Sequence, residues 1–174
     1  MPCDALKRVL FVCMGNTCRS AMAEALLRSM TVQGPGSLSE SLSVASAGLY
    51  AAPEEGASQG ASDVLKGYGI DLKDHRSRRL ARETMEQADM VLTMTASQKD
   101  MVIRDYPEHA HKVHLLLEYV REEPPAGPDA DLDIQDPFGQ PLHVYESCAR
   151  EIHEALRKLL RRLKSAGHAG GDGD

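Results

Sequence analysis

Short apolar segments alternate with helical segments along most of this chain, and that order restricts the folds available to it. Four segments have the apolar composition of buried strands: Lys7–Val12, Leu42–Ala47, Asp89–Thr93 and Lys112–Leu117. Helices are predicted between and after them: Arg19–Thr31, Gly56–Gly67, Ser97–Arg104 and a long amphipathic segment over 142–163. Such alternation predicts a parallel sheet covered on both faces. With right-handed crossovers, the expected fold class is α/β: a three-layer, doubly wound, four-stranded parallel sheet of flavodoxin-like order 2-1-3-4.

Composition sets the size of the domain and argues against several functions. Of the 174 residues, 42% are apolar, which is enough for one core. We expect a single domain over residues 1–164 and a disordered tail over 165–174. The net charge of −6 argues against nucleic-acid binding, and no apolar run approaches the roughly 20 residues of a membrane helix. The polar start of the chain does not look like a secretory signal, so we expect a cytoplasmic protein, acting as a monomer.

The segment from Cys13 to Ser20 joins the first predicted strand to the first predicted helix. A loop that leads into a helix N-terminus turns backbone N–H groups toward one point and forms an anion site. Gly15 and Asn16 tolerate the unusual backbone angles that such a loop needs. The same field favours the thiolate form of Cys13, a strong nucleophile, and the guanidinium of Arg19 can grip two phosphoryl oxygens. The spacing C-x5-R-S in this context predicts phosphoryl transfer through sulfur.

The four cysteines of the chain include no C-x-x-C pair, which disfavours a structural zinc site or a thioredoxin-type motif. We expect neither a metal nor a cofactor. Cys18 lies in the same loop as Cys13, and two roles remain open for it. It is either the partner of Cys13 in a reversible, protective disulfide or a small buried residue.

The segment Cys13-Met14-Gly15-Asn16-Thr17-Cys18-Arg19-Ser20 resembles the phosphate loop of the low-molecular-weight protein tyrosine phosphatase family. Other segments resemble the family in the same chain order: Ser46-Ala47-Gly48, 74–78, 88–94 and Asp136-Pro137-Phe138-Gly139. The match covers roughly Arg8 to Leu163. One departure is Ala21, where family members usually have proline; we expect the chemistry to survive it, because proline is favourable but not required at this helical position.

The resemblance implies a role for each matching residue. Cys13 is the nucleophile, Arg19 the phosphate clamp, and Asp136, in the proline-rich loop 118–140, the general acid and base. The substrate-binding residues it implies are Met14, Gly15, Asn16, Thr17, Cys18, Ser20 and Phe138. Ser46 and His75 match positions that hydrogen-bond with Asn16 and Ser20 and hold the loop open.

Thr17 and Gly139 bear on the substrate. Tyrosine-specific members usually carry a larger aliphatic residue in place of Thr17 and aromatic residues after the Asp-Pro pair. Threonine resembles the bacterial protein-arginine phosphatase branch, so we favour phosphoarginine in proteins as the substrate. A phosphotyrosine phosphatase with the same mechanism is the main alternative. A thioredoxin-coupled arsenate reductase is less favoured, because residues 75–100 hold no cysteine, and a non-catalytic phosphate-binding module is the remaining alternative.

Overall fold

The computed structural model describes residues 7–32, 41–123 and 131–168. Its strands are β1 (Lys7–Cys13), β2 (Leu42–Gly48), β3 (Met90–Thr93) and β4 (Val113–Leu115). Its helices are α1 (Arg19–Val32), α2 (Gln59–Lys66), α3 (Arg82–Gln87), α4 (Ala96–Asp105), α5 (Leu116–Tyr119) and α6 (Leu142–His168), with a 3-10 helix over Pro107–Lys112. The strands are parallel and lie in the order β2-β1-β3-β4. The predicted fold class and strand order are confirmed.

The central strand β1 is buried on both faces because its side chains alternate between two cores. Val9, Phe11 and Cys13 point toward α1, α2 and α6, whereas Leu10 and Val12 point toward α3 and α4. A parallel strand covered by helices on both faces must be apolar throughout, which explains the continuous apolar run that identified it in the sequence. Within the described ranges, no helix is long and apolar enough to cross a membrane.

The carboxyl ends of three strands meet at one edge of the sheet. Cys13, the last residue of β1, pairs with Gly48 of β2, and Val12 pairs with Thr93 of β3. The segment that begins at residue 131 also lies at this edge, where Ile134 donates its N–H to Met94 O at 2.9 Å. This edge is where ligands of doubly wound sheets bind, and the predicted loop lies on it.

Several predicted boundaries differ from the structure. Helix α2 begins at Gln59 and not at Gly56, because Ser58 caps it by accepting the N–H of Ala61. The predicted strand 112–117 is only three residues long, and its last apolar pair opens α5; a short apolar run suits a buried helix as well as a strand. At the C-terminus, α6 continues to His168. The rest of the predicted tail, 169–174, lies outside the described residues.

Candidate active site

The loop between β1 and α1 curves around a central point. Several of its carbonyl groups face away from that point and bond to neighbouring segments. Met14 O accepts the N–H of Tyr50 at 2.9 Å, and Thr17 O accepts that of Ser58 at 2.9 Å. Asn16 O accepts a hydrogen bond from His75 Nε2 at 2.7 Å. In a trans peptide the N–H points opposite to the carbonyl, so the N–H groups of residues 15, 17 and 18 point away from these partners and into the loop. The predicted anion nest has this arrangement of donors.

One residue of the loop has a left-handed backbone. Asn16 has φ of 59°, whereas Gly15 has no positive φ, so of the two residues expected to tolerate unusual angles only Asn16 adopts the left-handed conformation. Asparagine tolerates this conformation better than most residues. Gly48 is needed for another reason: a Cβ atom there would lie 2.8 Å from Met14 O and 2.9 Å from Asn16 N. The loop therefore packs directly against the end of β2.

The thiol of Cys13 is buried at the bottom of the loop, 3% exposed. Its Sγ lies 2.9 Å from Ser20 Oγ, and Asn16 donates its N–H to the same sulfur at 3.3 Å. The N-terminus of α1 begins directly behind the loop. Two donors and a positive helix end all favour negative charge on this sulfur.

The side chain of Asn16 determines which way the hydroxyl protons of this network point. Its Oδ1 accepts the N–H of Arg78 at 3.0 Å, which fixes the amide orientation. Its Nδ2 then donates to Ser20 Oγ and to Ser46 Oγ, each at 2.9 Å. Because Ser20 Oγ accepts from Asn16, its own proton is free to point at Cys13 Sγ. The residues that the resemblance grouped around the loop are thus brought together.

Glu24 closes the other end of this network, and the sequence analysis did not identify it. Ser46 Oγ donates a short hydrogen bond to Glu24 Oε2, and Glu24 Oε1 pairs with Arg28 at 2.8 Å. Glu24 is only 7% exposed and lies on α1 among apolar neighbours. A carboxylate four residues after Ser20, on the buried face of a helix, was the sequence signal that could have identified it.

Arg19 lies in the first turn of α1, and its guanidinium is held by the segment that carries Ile134 and Asp136. Its Nη1 donates to Ile134 O at 3.0 Å, and its Nη2 lies 3.0 Å from Asp136 Oδ2. Its Nε is buried and, among the described residues, has no hydrogen-bond partner. A guanidinium has five N–H donors and two are used here, so the rest are available to an anion in the loop.

Asp136 and several large apolar side chains near the loop are exposed. The Asp136 side chain is 52% exposed, and its Oδ1 accepts the N–H of Phe138 at 3.2 Å. Phe138, Met14 of the loop and Tyr50 all have exposed side chains. Tyr50 was absent from the predicted site, and the structure links it to the loop through its bond to Met14 O.

Cys18 and Thr17 face the N-terminus of α2. The thiol of Cys18 donates to Ser58 Oγ at 3.1 Å, and its sulfur lies 3.8 Å from Tyr145 Oη. Burial raises the pKa of Tyr145, so this hydroxyl stays protonated at neutral pH. Thr17 is partly exposed beside them. Among the described residues, no group of three or more His, Cys, Asp or Glu side chains is arranged to hold a metal ion.

The sheet, the donor-lined loop and the buried thiol together define an α/β protein that binds an anion against a cysteine. A family model described as low molecular weight phosphotyrosine protein phosphatase matches residues 8–169. The chain belongs to that family, so the resemblance inferred from its motifs is confirmed.

Relatives within the family have two kinds of name. A protein-arginine-phosphatase from Geobacillus stearothermophilus is 40% identical over 158 residues, which cover 91% of this chain and 97% of that protein. Its namesake from Bacillus subtilis (strain 168) is 37% identical over 90% of this chain and 96% of its own length. A probable low molecular weight protein-tyrosine-phosphatase, EpsP from Ralstonia nicotianae, is 32% identical over 93% of this chain and 99% of that one. The solved structure of the YwlE arginine phosphatase from G. stearothermophilus gives a TM-score of 0.82 at 38% identity, covering 97% of this chain and 99% of that one.

Proposed function

We propose that this protein is a protein phosphatase that hydrolyses phosphoarginine in proteins through a phosphocysteine intermediate. One observation carries the proposal: the Nε of Arg19 is buried and has no hydrogen-bond partner among the described residues. It lies next to the loop that holds the buried thiol of Cys13. A buried guanidinium nitrogen without a partner is costly unless a ligand satisfies it. A phosphoryl group would accept from Arg19 and from the inward N–H groups, with its phosphorus above the sulfur.

In the first step, Cys13 Sγ attacks phosphorus as the bond from phosphorus to the guanidino nitrogen breaks. The electron pair goes to that nitrogen, and Asp136 supplies the proton it needs, so unmodified arginine leaves. Ser20 and the N–H of Asn16 hold the sulfur as an anion before attack. The inward N–H groups and Arg19 stabilise charge on the equatorial oxygens.

In the second step, water attacks the phosphocysteine. Asp136, now deprotonated, accepts a proton from the water, the sulfur–phosphorus bond breaks, and inorganic phosphate leaves. The thiolate of Cys13 is regenerated, and the Ser20 proton stabilises it as the leaving group. A solved structure of a YwlE arginine phosphatase mutant carries a phosphorylated active-site serine, which supports an enzyme-bound phosphoryl group by analogy.

The choice of phosphoarginine is supported by Thr17 and by two relatives named protein-arginine-phosphatase. Thr17 is a small, partly exposed polar residue of the anion loop, with its Oγ1 3.7 Å from Cys18 Sγ, and a phosphoguanidino group offers N–H donors to a hydroxyl there. A hydroxyl satisfies such donors, and a site built with polar contacts discriminates against ligands that lack them. Gly139, with φ of 73°, leaves the wall after Phe138 without a side chain.

We also infer that the protein works in the cytoplasm and as a monomer. The described cysteines, Cys13, Cys18 and Cys148, are all free, and a thiolate nucleophile needs a reducing compartment.

The test is turnover of matched phosphoarginine and phosphotyrosine peptides by the purified protein, with Cys13→Ser as the blank. We expect faster hydrolysis of phosphoarginine than of phosphotyrosine, inhibition by vanadate, and no turnover by the blank. Binding of phosphate without vanadate-sensitive hydrolysis of either peptide would instead indicate the non-catalytic phosphate-binding module.

A phosphotyrosine phosphatase is the second candidate, favoured by the exposed apolar side chains of Met14 in the loop and of Phe138 beside Asp136, and by relatives named tyrosine phosphatases. Thr17→Ile separates the two, because it replaces the hydroxyl with a packing surface for a phenyl ring. We expect phosphoarginine turnover to fall and phosphotyrosine turnover to rise. Thr17→Ser, which keeps the hydroxyl, is the matched control. If Thr17→Ile leaves the ratio of the two activities unchanged, Thr17 does not select the substrate.

A further inference from the structure

The described residues 131–135 lead into Asp136. This stretch is attached to the sheet at one place, the start of α4. Asp133 Oδ1 accepts the N–H of Ala96 at 2.7 Å. The next residue, Ile134, donates its N–H to Met94 O at 2.9 Å and buries its side chain completely. These adjacent bonds fix the segment against the junction of β3 and α4.

This attachment lies close in sequence to both groups that hold Arg19. The carbonyl of Ile134 accepts from Arg19 Nη1, and the Asp136 carboxylate pairs with Arg19 Nη2, each at 3.0 Å. A displacement at position 133 would therefore move the proton donor and the guanidinium together. Within residues 131–135, the side chain of Asp133 accepts the N–H of Ala96 at the start of α4. The side chain of Asp131 instead accepts the N–H of Asp133, within the same segment.

We propose that Asp133 is a positioning residue for the reaction. Its carboxylate accepts the N–H of Ala96, which lacks a partner within the helix. This bond holds Asp136 over the anion loop and keeps Arg19 bonded to both Ile134 and Asp136. The proposal rests on the proposed function, in which Asp136 is the proton donor. An anionic acceptor suits this place, because the first N–H groups of a helix lack intrahelical partners and its N-terminus attracts negative charge.

The test compares two aryl phosphates on the whole protein. Phenyl phosphate needs a proton on its leaving oxygen, whereas 4-nitrophenyl phosphate leaves readily as an anion. The measured quantity is kcat/KM, which reports the first step alone, because the second step is the same for both esters. Loss of a capping acceptor changes the population of the capped conformation about fivefold, so we expect Asp133→Ala to lower kcat/KM for phenyl phosphate about fivefold. The loss for 4-nitrophenyl phosphate should be less than twofold. Asp133→Asn keeps an acceptor of similar capping strength and should restore the activity.

Thr95→Ala is the matched control for a merely structural effect. Thr95 Oγ1 caps the same helix by accepting the N–H of Gln98 at 3.2 Å, but it makes no bond to the Asp136 segment. We expect Thr95→Ala to lower the melting temperature without changing the ratio of the two kcat/KM values. The proposal is overturned if Thr95→Ala changes that ratio as Asp133→Ala does, or if Asp133→Ala lowers both kcat/KM values equally.

Binding of inorganic phosphate, measured by calorimetry, separates this proposal from the proposed function. If the wild-type protein hydrolyses neither the two esters nor the phosphoarginine peptide, the proposed function fails, but Arg19 still bonds to both Ile134 and Asp136. Asp133→Ala should then weaken phosphate binding, because Arg19 loses the fixed Ile134 carbonyl. An unchanged phosphate affinity in Asp133→Ala overturns the positioning role.

Discussion

Substitution of Gly48 by alanine tests whether the end of β2 holds the anion loop in shape. The new Cβ atom would lie 2.8 Å from Met14 O, 2.9 Å from Asn16 N and 2.9 Å from Ala51 Cβ, whereas ordinary contact begins at 3.4 Å. Two of these atoms belong to the loop backbone, so the clash is relieved only if the loop moves by about 0.5 Å. A misplacement of about 1 Å at a catalytic centre costs about a hundredfold in rate. We therefore expect kcat/KM to fall about tenfold in Gly48→Ala, and more if the bonds around Asn16 break.

The same substitution should also cost stability. Overpacking of a close-packed site typically costs about 1–3 kcal/mol, which corresponds to a melting-temperature decrease of about 2–12 °C for a chain of this size. Calorimetric unfolding and initial-rate kinetics on the same preparations measure the two effects. Gly56→Ala is the control, because a Cβ atom at Gly56 would meet nothing within 4 Å. Wild-type stability and activity in Gly48→Ala would refute the argument that the loop packs tightly on β2.

Three further predictions follow from the thiols and the buried carboxylate. Glu24→Gln should lower the unfolding free energy by about 2 kcal/mol in urea titrations, because a buried hydrogen bond from Ser46 loses its charged acceptor; an unchanged midpoint would contradict this. Burial raises the pKa of the Cys148 thiol to about 12, so at neutral pH iodoacetate should alkylate Cys13 well before Cys148, as peptide mass spectrometry will show. Mild peroxide should join Cys13 to Cys18 in a disulfide that dithiothreitol reverses, and Cys18→Ser should instead accumulate over-oxidised Cys13.

The fold could be predicted because it depends on patterns that are local in the sequence. The continuous apolar run of β1 and its position before a helix are enough to predict a buried parallel strand with an anion loop at its end. Where local pattern was ambiguous, the prediction was wrong. Leu116 and Leu117 continue an apolar run from β4, yet they form the short helix α5, because either structure would bury Leu116.

The contacts around the loop could not be predicted from such patterns, because their partners are distant in sequence. Asn16 bonds to Ser46 and to the backbone of Arg78, and Asp133 bonds to Ala96. Nothing in the local sequence of one partner specifies the other. Ser46 and His75 entered the predicted site only through family resemblance, whereas Glu24 and Tyr50, to which the resemblance assigned no role, were missed.

The anion loop and the segment that carries Asp136 are held by different kinds of contact, and this difference suits the proposed reaction. The anion loop is fixed from three sides by buried bonds at Asn16, by the packing of Gly48 and by the start of α2. Asp136, by contrast, is half exposed, and its side chain bonds only to Arg19 and to the nearby N–H of Phe138 among the described residues. A phosphoryl group that binds Arg19 competes with the Asp136 carboxylate for the same guanidinium. Binding would thus free the Asp136 side chain from Arg19, so that it can take up a proton from water and give it to the leaving group, while the loop that stabilises the charge keeps its shape.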